Sequence, residues 1–330
     1  MVKGDGTIAD LMREQRLAAL LVERLGLSPP VDVDAVAARM ADVESDLIPG
    51  SCDGVVVGLS GGRERPLIVV ARDAPARRRR FTLAHEIGHV ALPWHIGTAA
   101  CDTGLLVRDP AEIEANRFAA ELLVPSAWLV PVVADLGADA ITPLLAVLRV
   151  CDVSIHVACL RLISVLPPGW ICVVTAEDGT VELSARSAGT TPTAPRRRSA
   201  FDPSRFRAFA SSAERVSFGS RYSHWFRYGE SPMPDTADDP RDWRSVLNDV
   251  TGRHAPDEAA ARSLAHSISS IVGYAYGLAL RDPPVTREKV LGRVRSRFAG
   301  RDDLPVDLLD DPEFSVYLAK KTEDLARRRV

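Results

Sequence analysis

The apolar positions of this 330-residue chain change period several times, and the changes outline its elements. Residues 8–28 (IADLMREQRLAALLVERLGLS) place apolar side chains three and four apart, which predicts an amphipathic helix stopped at Gly26. After Pro29 and Pro30, DVDAVAARM reads as a short helix. Over 54–72 the pattern becomes strand-like. DGVVVGLSGG and RPLIVVARD read as two strands around Gly61-Gly62, a hairpin. Residues 77–92 return to helical spacing behind a basic run. Residues 110–123 form another helical stretch, opened by Pro110 and closed before Pro125. Short helices are expected from 126 to 165, ending at Pro167, Pro168 and Gly169.

The character then shifts. Residues 170–186 (WICVVTAEDGTVELSAR) read as strand, turn at Asp178-Gly179 and strand. Residues 187–204 have the composition of a loop or linker, 220–230 reads as an aromatic strand, and the chain from about 241 reads mainly helical. These patterns predict an α+β protein in four parts: a core over 1–130, a helical appendage over 131–168, a small β-containing region with linker over 169–234, and a mainly helical region over 235–330. No repeat of fixed period is visible.

Composition narrows the class. Hydrophobic residues are 46% and charged residues 26% of the chain, as in globular proteins, and the net charge of −3 gives no overall call for nucleic acid or an acidic membrane. The most apolar stretch, 263–280, contains His266 and four serines and is read as a buried helix rather than a membrane span. Residues 1–10 lack the apolar core of a secretory signal, and five cysteines form no tight pairing pattern. Both point to a cytoplasmic protein with free thiols.

The chemistry concentrates in FTLAHEIGHVAL, residues 81–92, which contains H-E-x-x-H as His85, Glu86 and His89. Helix positions four apart share a face, so both imidazoles can reach one metal ion, and Glu86 is placed to act as general base toward water. Histidines and a glutamate among Phe81, Leu83, Ile87, Val90 and Leu92 are costly in a buried helix unless paired or metal-bound. A catalytic zinc needs a third protein ligand and one open position. Glu112 is preferred for it, with Asn116 on the same helix face to hydrogen-bond a ligand histidine. Glu114 is the competitor, directed away from that face. One zinc per chain is expected, and the same ligands suit other divalent ions.

These residues resemble the ImmA/IrrE-type metallopeptidases. The likeness rests on R-R-F-T-L-A-H-E-I-G-H at 79–89, E-x-E-A-N-R-F-A-A-E-L-L-V-P at 112–125 and the preceding LIVVARD, and spans roughly residues 10–165. It implies a zincin-like core with His85, His89 and Glu112 as ligands and Glu86 as base. It also implies a protein substrate, a helix-turn-helix repressor or antitoxin in a stress-response, phage or mobile-element setting. Residues 146–166 resemble the helical region after that core, with a Val-Ser step like a helix-turn-helix, although ordinary packing is favoured over DNA contact. Many relatives carry a histidine three residues after the second ligand. This chain has Leu92 there, and the helix is expected to end at it, with an approach of His95 to the site left open but not favoured. The competing class is a zinc-containing transcriptional regulator or interaction protein with a proteolytically silent core. An intact Glu86 argues against it.

Overall fold

The computed structural model describes residues 11–48, 52–59, 64–96, 99–101, 109–190, 194–230, 233–236, 238–281 and 283–327. The chain divides into two compact units, Met1–Val165 and Leu166–Val330.

The first unit opens with α1 (Arg13–Leu25), stopped by Gly26 in the left-handed region (φ 61°), and α2 (Val33–Met40), whose first turn is capped by Asp32. Four strands follow: β1 (Asp42–Asp46), β2 (Gly54–Val57), β3 (Leu67–Ala71) and β4 (Ala99–Cys101), in the order β1-β3-β2-β4. β2 and β3 pair antiparallel, as the alternation predicts, while Gly61 and Gly62 of the expected hairpin lie outside the described residues. β1 pairs parallel with β3. Its sequence, DVESD, has no apolar alternation because the strand lies at a sheet edge with its side chains largely in solvent.

Between β3 and β4 runs α3 (Ala76–Ala91), ended by Leu92, which precedes Pro93 and adopts extended backbone. α4 (Pro110–Leu123) begins on Asp109, which accepts from Ala111 N at 2.9 Å, with Pro110 in the first turn. α3 packs on β2 and β3 on one side and on α4 on the other. The α3–α4 crossing is close. A Cβ on Gly88 would lie 3.2 Å from Phe118 Cδ1 and 3.3 Å from Ala115 Cα. Three short helices complete the unit: α5 (Ser126–Leu136), α6 (Ile141–Leu148) and α7 (Ile155–Val165). Fully buried Glu121 at the end of α4 pairs with buried Arg161 of α7, and Arg161 also donates to Val124 O at 2.8 Å. The pair ties the site-bearing helix to the helices after it.

The second unit holds an antiparallel sheet of β5 (Trp170–Thr175), β6 (Val181–Arg186), β7 (Ser212–Phe218) and β8 (Arg221–Arg227), in the order β6-β5-β8-β7. β5 and β6 form the expected hairpin, with Gly179 at φ 82° in its turn. Ile171, Val173 and Phe226 form one small core with Phe206 from the single turn α8 (Ser204–Arg207). On the opposite face Trp170 and Trp225 meet edge to face. Four helices follow: α9 (Trp243–His254), α10 (Glu258–Ala279), α11 (Arg287–Phe298) and α12 (Pro312–Arg327), with a core that includes Val250, Val272, Leu291, Phe298 and Phe314. All but the last residue of the apolar stretch 263–280 lies in α10, which buries Ile268, Ile271, Val272, Ala275 and Ala279 in that bundle. No single helix among the described residues is long and apolar enough to cross a membrane.

Two stability tests follow from the buried charges. Arg161→Ala leaves Glu121 buried without its cation and is expected to cost about 3–5 kcal/mol in chemical denaturation, much of it recovered when Glu121→Leu is added. Burial, helped by Arg215 and Arg207, lowers the His224 pKa from 6.5 to about 4. The unfolded chain therefore binds a proton that the folded chain refuses between about pH 6.5 and 4, and stability falls with pH across that window. His224→Gln is expected to flatten this part of the pH–stability profile. An unchanged slope would contradict the assignment.

Candidate metal centre

The site is built where α3 crosses α4. Eight consecutive residues of α3, Thr82 to His89, are buried, so both histidines of H-E-x-x-H lie inside the unit. His85 and His89, one turn apart, present their Nε2 atoms to each other at 3.1 Å. Glu112, in the first turn of α4, sets Oε2 3.2 Å from His85 Nε2 and Oε1 3.3 Å from His89 Nε2. The three side chains offer ligand atoms all within 4.8 Å of one another, so they can hold one metal ion. Glu112 Oε2 is buried without a hydrogen bond, as suits an oxygen that completes its coordination on a cation. Two imidazole nitrogens and one carboxylate form a donor set that suits zinc with an open coordination position.

The surrounding residues orient these groups. Asn116, one turn after Glu112 on α4, places Oδ1 3.1 Å from His85 Nδ1. Accepting that N–H leaves the Nε2 lone pair of His85 facing Glu112 and His89. Glu86 is fully buried beside β2. Gly54 makes the space: a Cβ there would lie 2.6 Å from Glu86 Oε1 and 2.6 Å from Thr82 Cγ2. Sequence reading gave Gly54 no role, because its need arises only from the approach of β2 to α3.

Glu114 and His95 are closer to the site than the sequence suggests. Glu114 does point away from the Glu112 face, but its Oε2 lies 3.1 Å from His95 Nε2, and His95 Nδ1 lies 2.9 Å from His89 Nδ1. The helix ends at Leu92 as expected, yet a turn with His95 N donating to Leu92 O at 2.9 Å folds His95 back onto His89. The arginine run enters α3 through ion pairs: Arg77 with Asp152, Arg78 with Asp53 and Arg79 with Asp34. Cys52 donates to Gly54 O at 2.7 Å. In the second unit, His224 Nε2 lies 3.2 Å from Thr175 Oγ1, and Tyr222 lies on the same strand, β8.

Gly54→Ala tests the packing behind Glu86. The added methyl must displace a buried carboxylate or β2 itself, with an expected loss of about 1–3 kcal/mol by urea unfolding. The same substitution at Gly252 of α9, where an added Cβ meets nothing and helix propensity rises, is expected not to destabilise.

No curated protein matches the chain. Among solved structures, a Mycobacterium tuberculosis transcriptional regulator aligns at 14% identity over 67% of this chain and 77% of its own, with a TM-score of 0.42. Residues 50–162 match the family model of the IrrE N-terminal-like domain, Peptidase M78, and that segment contains His85, Glu86, His89, Glu112 and Asn116. This segment belongs to the ImmA/IrrE-type metallopeptidase family.

Proposed function

We propose that the first unit is a zinc-dependent endopeptidase. The convergence of His85 Nε2, His89 Nε2 and the Glu112 carboxylate on one point carries the reading. Zinc held there supplies Lewis acidity toward a peptide carbonyl and toward water. Glu86, adjacent to His85 on the buried stretch of α3, takes a proton from the attacking water and returns it to the leaving amine as the C–N bond breaks. Asn116 holds the His85 ring, and Gly54 leaves room for the Glu86 carboxylate. A purely structural metal site has no use for such a base, and this favours the peptidase over a silent metal-containing regulator. The family of residues 50–162 supports the same choice.

The substrate in this reading is a regulatory protein, a helix-turn-helix repressor or antitoxin, cut inside the cytoplasm in a stress-response or mobile-element setting. The second unit, with its separate sheet and helical core, is the part available to select the substrate or sense a signal.

Elemental analysis of purified full-length protein tests the centre. About one zinc per chain is expected in wild type and in Glu86→Gln, with strong loss in His89→Ala. Glu86→Gln should then retain, uncut, a repressor-like protein that wild type cleaves. Wild type that neither carries nor takes up a divalent metal would sink the proposal, and so would undiminished cleavage by Glu86→Gln.

A further inference from the structure

His89 is held from behind by a line of hydrogen bonds that enters from outside the ligand set. Trp94 Nε1 donates to Glu114 Oε2, and the same oxygen lies 3.1 Å from His95 Nε2. His95, its side chain 3% exposed, reaches His89 Nδ1 with its own Nδ1 at 2.9 Å. Arg13 of α1 stacks its guanidinium 3.6 Å above the Trp94 ring and closes the outer end.

Proton accounting along this line has one solution for neutral imidazoles. An ionised carboxylate only accepts, so the His95 nitrogen facing Glu114, Nε2, carries that ring's proton. His95 Nδ1 is then an acceptor. The contact between the two Nδ1 atoms needs one proton, and it must come from His89. Proton placement on His89 at Nδ1 leaves Nε2 bare, and Nε2 is the atom that faces Glu112 Oε1 at 3.3 Å and His85 Nε2 at 3.1 Å. Asn116 achieves the same for His85 with a single amide oxygen. The two ligand histidines are thus fixed by different devices, one by a side chain on α4 directly, the other through an intervening imidazole.

We propose that Glu114 and His95 are positioning residues, which lock His89 in the Nδ1–H tautomer and so keep its Nε2 lone pair directed at the metal. The proposal rests on the metal-binding reading above. Neither residue belongs to the set of side chains that converge on the metal position. Partners of this kind typically change metal affinity by about 10–100-fold when removed.

The test uses the full chain and two readouts. Zinc affinity is measured by competition with a chromophoric chelator in wild type, His95→Phe, Glu114→Ala and Glu114→Gln. His95→Phe keeps a ring but removes the acceptor, and Glu114→Ala removes the group that orients His95. Both are expected to weaken zinc binding by about 10–100-fold. Glu114→Gln keeps an oxygen that accepts from His95 and is expected to stay within about three-fold of wild type. The second readout is long-range proton–nitrogen correlation NMR on zinc-loaded protein, expected to show His95 as the Nε2–H tautomer in wild type and a mixture in Glu114→Ala. Because Glu114 is partly exposed, its variants remain informative if His95→Phe folds poorly. An Nδ1–H tautomer of His95 in zinc-loaded wild type overturns the proposal, as does wild-type zinc affinity in Glu114→Ala. Wild type that binds no zinc overturns the metal-centre reading and this proposal with it, whereas wild-type affinity in Glu114→Ala overturns this proposal alone.

Discussion

The close crossing of α3 and α4 is the constraint on which the site depends. Gly88 lacks the Cβ that would press on Phe118 and Ala115, and Ala115 is itself small and fully buried. Bulk at either position would push the helices apart. At this separation, residues one helical turn apart on each partner come face to face: His85 and His89 on α3, Glu112 and Asn116 on α4. The ends of the two helices are fixed as well. Pro93 stops α3, Asp109 and Pro110 start α4, and the Glu121–Arg161 pair secures the far end of α4. The two imidazoles are kept inside with a partner behind each, Asn116 for His85 and His95 for His89, while the Glu112 carboxylate faces both.

Around that crossing, the neighbouring elements supply what the two helices lack. β2 brings Gly54 against Glu86 and gives the carboxylate a fitted but unobstructed place. The turn after α3 returns His95 to the back of His89, and α1 braces Trp94 from outside. The basic run at the start of α3 is taken up in ion pairs with Asp34, Asp53 and Asp152. Those acids come from α2, from the residue before β2, and from the turn before α7, so the run fastens the entrance of the site helix to three parts of the unit. Such partly exposed pairs contribute little each, and their geometric effect is the larger one.

Much of this was legible in the residues alone. Gly26, Pro110 and Pro125, and the break at Leu92-Pro93 delimit α1, α4 and α3 because backbone geometry at glycine and proline is local. The strand pattern of 170–186 and the buried face of 263–280 follow from periodicity. His85, Glu86 and His89 stand out because their spacing is itself helical geometry, and Glu112 with Asn116 repeats it.

What the sequence could not express is contact between elements. β1 carries no apolar alternation, since its place at the sheet edge is decided by hydrogen bonds to β3 that any residue can make. Nothing local sets Gly54 apart from the other glycines until α3 lies on β2. Glu114 points away from Glu112 in either description, and only the return of the chain after Pro93 makes that outward carboxylate a partner of His95 and, through it, of His89. Local spacing therefore determined which side chains share a helix face, because the helical repeat is a property of the backbone. Tertiary structure decided which faces meet and which polar atoms each histidine finds behind it, because those contacts depend on the path of the chain between elements.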